Sequence, residues 1–392
     1  MELRNGVSKM MMILWGVVPI LLLLLTVIYL YKKINSTVKY FGAKEDVSYS
    51  SVNDSKIKTK YRIISIGIFA LLIAPVVFFK MTWIIVLLHL FVLLLVTDLV
   101  VWIIEKIGHK INSTTFQRIY KSGIIAIVIT AIMITYGYFN IFKVIDTQYT
   151  VYTEKNIRSE GYKILVLSDL HTGLTLNGEQ LEQKVAEMSY QNPDVVILDG
   201  DIVDESTTFE QMQEAFSILS KISNRYGIYY VYGNHDKNAY TSKPNYTPEQ
   251  LKETIISTGI NILEDTTQVI NNELVLIGRA DKGDMVNVRK DISELVDGLN
   301  SSMEWIVLDH QPADYKLCEQ NGADIIISGH THAGQIWPIG FLSSVLHLDE
   351  MNYGYKVNNN MTAIVTSGIA GWGFPLRTSK HSEYLVINIV NK

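Results

Sequence analysis

The chain of 392 residues contains a single cysteine, Cys318. One thiol excludes an intramolecular disulfide and any cysteine-cluster metal site. Within the helical stretch "ADYKLCEQNG" it reads as a packing residue, not a nucleophile. A basic excess is equally absent. The formal charge is −5 at pH 7 and the pI is about 6.0, so there is no electrostatic footprint for nucleic acid and no such partner is expected. Long apolar runs are absent after about residue 142, although they fill the stretch before it. That asymmetry divides the chain into a transmembrane region, 1–142, and a soluble domain over 150–392 that is large enough to bury a substantial core.

The first part holds apolar segments at 10–31, 63–79, 81–104 and 124–139. A crossing takes about 20 residues, so the first and third are long enough, while the second and fourth stand at the short end of the range. Arg4 and Lys9 precede the first segment as in a signal peptide, but "YLYKKINSTVKY" offers no small-x-small cleavage site, and a retained helix is expected. Four crossings are therefore predicted. Lys32, Lys33, Lys39, Lys44, Lys56, Lys58, Lys60 and Arg62 fall between the first two segments, and Lys106, Lys110, Arg118 and Lys121 between the last two, outnumbering the basic residues of the opposite side. Because positive charge is retained in the cytoplasm, a multi-pass protein is expected whose catalytic domain faces the extracytoplasmic side of the cell membrane. His89 and Asp98 lie inside the third segment, where ionisable groups are costly, but their spacing puts them on opposite faces of a helix and they are given no role.

In the second part, "KILVLSDLH" reads as a strand that ends in Asp169 and His171, and "DVVILDGDIVD" as a buried strand that ends in Asp201 and Asp204. "IYYVYGNHD" ends in Asn234, His235 and Asp236, "EWIVLDHQP" in Asp309 and His310, and "ADIIISGHTH" in His330 and His332. Helical stretches such as "LEQKVAEMSYQ" and "FEQMQEAFSILSKI" alternate with these strands, which is the pattern of βαβ units on a parallel sheet. Ligands bind outside the carboxyl ends of strands in such sheets. Every polar cluster falls at that end.

Carboxylate, imidazole and amide oxygen converging without a thiolate suit two divalent metal ions of the Mn, Fe or Zn kind. A metal pair can clamp the attacking and leaving oxygens of a displacement at phosphorus, with activated water as nucleophile. Such a site also needs glycines where the backbone turns sharply or approaches a ligand, as Gly200, Gly233 and Gly329 allow.

The ordered blocks Asp169-Leu170-His171, Gly200-Asp201-Ile202-Val203-Asp204, Gly233-Asn234-His235-Asp236, the later His310, and Gly329-His330-Thr331-His332 resemble the calcineurin-like metallophosphoesterase superfamily. The resemblance spans about residues 162–335. It implies an α/β fold, a four-layer α-β-β-α sandwich of two mixed sheets, here preceded by the four-helix transmembrane region. It also implies one metal on Asp169, His171 and His332 and another on Asn234, His310 and His330, with Asp201 bridging. His235 would be a general acid oriented by Asp236, and Asp204 a supporting residue rather than a ligand. "GHTHAGQ" and the tail "GIAGWGFPLRTSKHSEYLVINI" look like the membrane-associated bacterial envelope-type members, in which G-G-Q usually follows the histidines; here Ala333 stands in place of the first glycine. Gln335 and Arg377 are the candidate substrate contacts, since Arg can bind phosphate bidentately.

The expected function is a membrane-anchored dinuclear-metal phosphoesterase acting on a phosphodiester or phosphomonoester, envelope or lipid-linked. A nucleotide or nucleotide-sugar pyrophosphatase is a second reading from the same superfamily. A non-catalytic membrane receptor or scaffold would be marked by loss of a ligand or of His235, and all are present. A transporter finds few intramembrane polar residues to build a pathway.

Overall fold

Among the described residues, apolar and mixed runs at the start of the chain form five helices: α1 (Val18–Glu45), α2 (Asp54–Ile73), α3 (Val76–Lys106), α4 (Thr114–Ser122) and α5 (Ile124–Phe142). The computed structural model describes residues 17–45, 54–108, 113–283 and 288–392. Three of these helices, over Val18–Gly42, Val76–Lys106 and Ile124–Phe142, are long and apolar enough to cross a bilayer. The expected fourth, at 63–79, is not among them. Its helix stops at Ile73, Pro75, which lacks an amide hydrogen, caps the next helix, and α3 is itself kinked at Lys80. What remains of α2 begins "DSKIKTKYR" and is too polar to cross. Residues 10–16 of the expected first span lie outside the described residues. Asp98 in α3 is paired after all: Lys33 donates to it, as do the hydroxyls of Tyr29 at 2.6 Å and Tyr120 at 2.8 Å.

Packing separates the chain into two compact units that part between Thr135 and Tyr136. The last turns of α5 therefore belong to the second unit. There the chain runs through β1 (Val144–Thr153), β2 (Tyr162–Leu167), α6 (Gly178–Tyr190), β3 (Val195–Asp199), α7 (Phe209–Leu219), β4 (Ile228–Val231), α8 (Pro248–Ser257), β5 (Asn261–Ile262), β6 (Thr266–Ile270) and β7 (Leu274–Gly278). It continues with α9 (Ile292–Val296), β8 (Glu304–Leu308), α10 (Tyr315–Gln320), β9 (Ile325–Ser328), α11 (Ile339–Leu346), β10 (Gly354–Asn358), β11 (Met361–Val365) and β12 (Ser382–Asn391). Two six-stranded sheets result, in the orders β1-β12-β2-β3-β4-β5 and β10-β11-β9-β8-β7-β6. Both are mixed, with parallel pairs β2–β3, β3–β4, β7–β8 and β8–β9 and antiparallel pairs β12–β2, β6–β7 and β10–β11.

Side chains alternate across each strand. Val196 and Leu198 of β3 pack with Met188 of α6 and Phe216 of α7, whereas Val195 and Ile197 pack with Leu276, Ile306 and Ile325 of the second sheet. Val307 and Ile326 turn the other way, onto Leu295 of α9 and Cys318 of α10. Capping boxes at Asn177 and Gln180, Thr208 and Gln211, and Thr247 and Gln250 start the returning helices α6, α7 and α8 by satisfying their first free amides. Each helix brings the chain back, so β2, β3 and β4 end at one edge, and β8 and β9 end beside them.

Candidate metal centre

Three of the five strand ends, those of β2, β3 and β9, lead straight into loops whose backbone leaves the ordinary regions. Asp169, His171, Asp201, His330 and His332 all have positive φ, between 42° and 68°. Non-glycine residues hold that conformation only where surrounding structure enforces it. Gly200, at φ 76°, has no room for a side chain either: a Cβ would lie 2.5 Å from His310 Nδ1. At Gly233 a Cβ would collide with the Asp201 carboxylate.

These turns gather two groups of donors, Asp169, His171 and His332 in one and Asp201, His310 and His330 in the other, with the ligand atoms of each group within 4.8 Å of one another. Asp201 stands between them. Its Oδ2 is 3.1 Å from His310 Nε2 and 3.9 Å from His171 Nε2. Three imidazoles are oriented from behind by oxygen acceptors: His171 Nδ1 donates to Asp204 at 3.1 Å, His310 Nδ1 to the Asp199 carbonyl at 2.7 Å, and His332 Nδ1 to the Ala370 carbonyl at 3.3 Å. An oxygen of that kind only accepts, so Nδ1 carries a proton and Nε2 is the nitrogen turned toward the centre. His171 Nε2 and His332 Nε2 thus face each other at 3.3 Å, an arrangement that a cation between them satisfies. Asn234 Oδ1 is buried and finds no hydrogen-bond partner among the described residues. This donor set, rich in buried oxygen and neutral imidazole, fits two borderline divalent ions.

The buried charges act on one another. Burial pushes Asp201 upward, but the hydrogen bond and charge of His310 and the charge of His171 outweigh it and hold the carboxyl well below its usual range, while Asp201, against burial, raises His310 well above its own. Burial brings His332 down to about 3, keeping it in the neutral form that ligates. Burial also acts to lower His235, yet its hydrogen bond to Glu205 and the charge of Asp201 raise it above its ordinary value.

His235 lies at the mouth of the site, its ring centroid 5.5 Å from that of His171, 5.0 Å from Tyr240 and 5.2 Å from Trp372. Its orienting partner is Glu205, whose Oε2 is 2.9 Å from His235 Nδ1. The expected partner, Asp236, points the other way. Its carboxylate is fully buried and accepts the backbone amides of Asp201, Ile202, Val203 and Gly233. Asp236 therefore shapes the loop that carries Asp201, and a carboxylate with four amide donors has no oxygen to spare for an imidazole.

Two other expectations are corrected. Arg377 is fully buried, and its guanidinium donates to the carbonyls of Ser367 at 2.9 Å, His332 at 3.2 Å and Ala370. It braces the His332 loop and cannot reach a substrate. Gln335 locks the 372–376 loop, accepting from Trp372 N at 2.9 Å and donating to the carbonyls of Trp372 and Leu376 at 3.1 Å. Glu205 went unmarked because it follows Asp204 in a run of acids, and only the loop's path decides which of them turns back toward His235. Ala333 itself adopts φ 50°, which is the conformation that makes glycine usual at this position.

Residues 162–334 match the family model of the calcineurin-like phosphoesterases. A transmembrane protein with metallophosphoesterase domain from Danio rerio is 29% identical over 289 residues, which cover 70% of this chain and 63% of that protein. The metallophosphoesterase Cj0846 of Campylobacter jejuni is 30% identical over 235 residues, 59% of each chain. The phosphodiesterase YaeI of Escherichia coli is 29% identical over 180 residues, 45% of this chain and 62% of that one. The chain spans about three fifths of the length of these curated relatives. Strand ends, candidate metal donors and family match coincide, and residues 162–334 match as a calcineurin-like phosphoesterase domain.

Proposed function

We propose that this chain is a membrane-anchored phosphoesterase that hydrolyses phosphate mono- or diesters at two divalent cations of the Mn, Fe or Zn kind. The observation that carries the reading is the pair of donor groups with Asp201 between them, and the Nε2 atoms of His171 and His332 turned toward each other. Such a metal pair, when bound, activates water and clamps the oxygens that attack and leave phosphorus. Asp169, His171 and His332 would hold one cation and Asn234, His310 and His330 the other, with Asp201 common to both. His235 would give its Nε2 proton to the departing alkoxide, with Glu205 fixing the ring and keeping it protonated. The three packed clusters favour the four-layer order of helices, two sheets and helices.

The apolar helices and the Danio rerio relative, named a transmembrane protein, support anchoring. They favour an envelope or lipid-linked phosphate ester, and the relative named a phosphodiesterase favours a diester. Placing the domain on the extracytoplasmic side takes an even number of crossings, one more or one fewer than the three apolar helices α1, α3 and α5 provide; we keep that side as the proposal that labelling decides. A cysteine at the exposed Tyr190 should then react with an impermeant maleimide on intact cells. Labelling only after permeabilisation would reverse the orientation.

The activity test uses the full chain in detergent with added Mn, comparing bis-p-nitrophenyl phosphate with p-nitrophenyl phosphate. Metal-dependent turnover that Asp201→Asn abolishes is expected. A folded, metal-loaded protein inactive on both esters would overturn the reading.

A further inference from the structure

Helix α11 follows the metal-ligating His332 by a few residues, and it is apolar on its outside. Ile339, Phe341, Leu342, Val345 and Leu346 are 45–66% exposed, and Leu348 just beyond is 55% exposed. Ser343 is the buried residue of this helix. A helix facing water carries polar side chains on its outer face, and an exposed apolar patch of this size beside a site marks an interaction surface.

Hydrogen bonds within the second unit show what it lies beside. Trp337 N, just before α11, donates to Thr378 Oγ1 at 3.0 Å. The neighbouring Arg377 N donates to the Gly137 carbonyl at 3.0 Å, Asn140 Nδ2 to the carbonyls of Arg377 at 3.1 Å and Lys380 at 2.9 Å, and Ser382 Oγ to the Ile141 carbonyl at 2.8 Å. Gly137, Asn140 and Ile141 form the last turns of α5, the apolar helix that runs into the domain. The loop 376–382 therefore clamps the end of a candidate membrane span to the start of α11. On those same turns Tyr136, Tyr138 and Phe139 are 53–67% exposed, and Trp372, 46% exposed on the adjoining loop, stacks toward His235. Tyrosine and tryptophan gather at the membrane–water interface.

We infer that α11 is an interfacial anchor whose apolar face rests in the headgroup and acyl boundary of the bilayer from which α5 emerges. The mouth of the metal centre, with Trp372 as its lip, is thereby held at headgroup level, and the ester it takes is the phosphate of a membrane amphiphile. This rests on the reading of α5 as a membrane span and, for the substrate class, on the proposed hydrolase. A second copy of the chain is disfavoured as the occupant, because the loop 376–382 ties the start of α11 to the last turns of α5, themselves the end of a candidate membrane span.

The test uses the full chain in nanodiscs of phosphatidylcholine and phosphatidylglycerol. In a Cys318→Ser background, Phe341→Cys, Val345→Cys and the control Tyr190→Cys each carry an environment-sensitive fluorophore. Nitroxide on the lipid acyl chains should quench the labels at 341 and 345 and leave the label at 190 bright. Equal quenching at all three positions, or none at 341 and 345, overturns the inference, as does self-quenching at 341 that responds to protein density and not to nitroxide lipid. In a second arm, Phe341→Asp with Val345→Asp should leave turnover of a water-soluble aryl phosphate within about twofold and cut turnover of a vesicle-embedded phosphate ester by about tenfold or more. Equal effects on both esters overturn the substrate assignment. If the unaltered chain hydrolyses neither ester, the hydrolase reading falls while the quenching pattern still decides whether α11 enters the bilayer.

Discussion

Replacing Glu205 by glutamine removes one charge from the back of His235 and little else. The two side chains meet at 2.9 Å and are 14% and 19% exposed, so water screens the pair only in part. A hydrogen bond to a charged group is worth about 1.5–3 kcal/mol against about 1 for a neutral one, a difference on the order of 1 kcal/mol. At about 1.4 kcal/mol per unit, that corresponds to a fall of roughly one pKa unit at His235. The sign follows from the role. His235 stands above its ordinary value, so the protonated acid persists to higher pH and activity is lost as pH rises through that pKa. Glu205→Gln should therefore move the alkaline limb of kcat toward acid by about one pH unit, leaving metal content and the low-pH plateau unchanged. The assay must use an alkyl phosphate ester, because p-nitrophenolate departs without needing a proton. An alkaline limb that stays in place in Glu205→Gln and moves in Asp236→Asn would refute the assignment of Glu205 as the orienting group.

Other outcomes follow from the same geometry. Asp204→Asn removes the carboxylate that fixes the His171 tautomer, and metal affinity measured by chelator competition should fall about 10- to 100-fold. Asp236→Ala strands buried amides around Asp201, so it should lower stability by about 3 kcal/mol or more in denaturant unfolding, along with activity. Ala333→Gly relieves a left-handed alanine and should raise stability by about 0.5–1 kcal/mol with turnover unchanged. Gly233→Ala drives a Cβ into the Asp201 carboxylate, and turnover should be lost even where the protein still folds.

The strands that carry the site were legible because each is a short buried run of β-branched residues ending abruptly in Asp, Asn or His, and β2, β3, β4, β8 and β9 lie where those runs stand. The helix expected around residues 315–320 is α10. What escaped was decided by paths between elements. Asp236 is the acid next to His235 in sequence, whereas Glu205 lies 30 residues before it, but the loop after Gly233 folds Asp236 back onto the amides of 201–203 and leaves the ring to Glu205. Arg377 looked functional because an arginine can bind phosphate bidentately; four backbone carbonyls that no linear pattern reveals occupy its guanidinium instead. The fourth span failed on Pro75, visible in "LLIAPVVFF" but outweighed there by hydropathy. The outer face of α11 was not singled out in sequence, since an apolar run does not tell a buried face from an exposed one; among the described residues Phe341 and Leu346 stand exposed.

The central claim is that one site holds two metals with Asp201 between them. Crystals of the protein grown with Mn and measured at the Mn absorption edge test it most directly. Two anomalous peaks should appear about 3.5 to 4 Å apart, one among Asp169, His171 and His332, the other among Asn234, His310 and His330. A single peak, or peaks away from these side chains, would contradict the account.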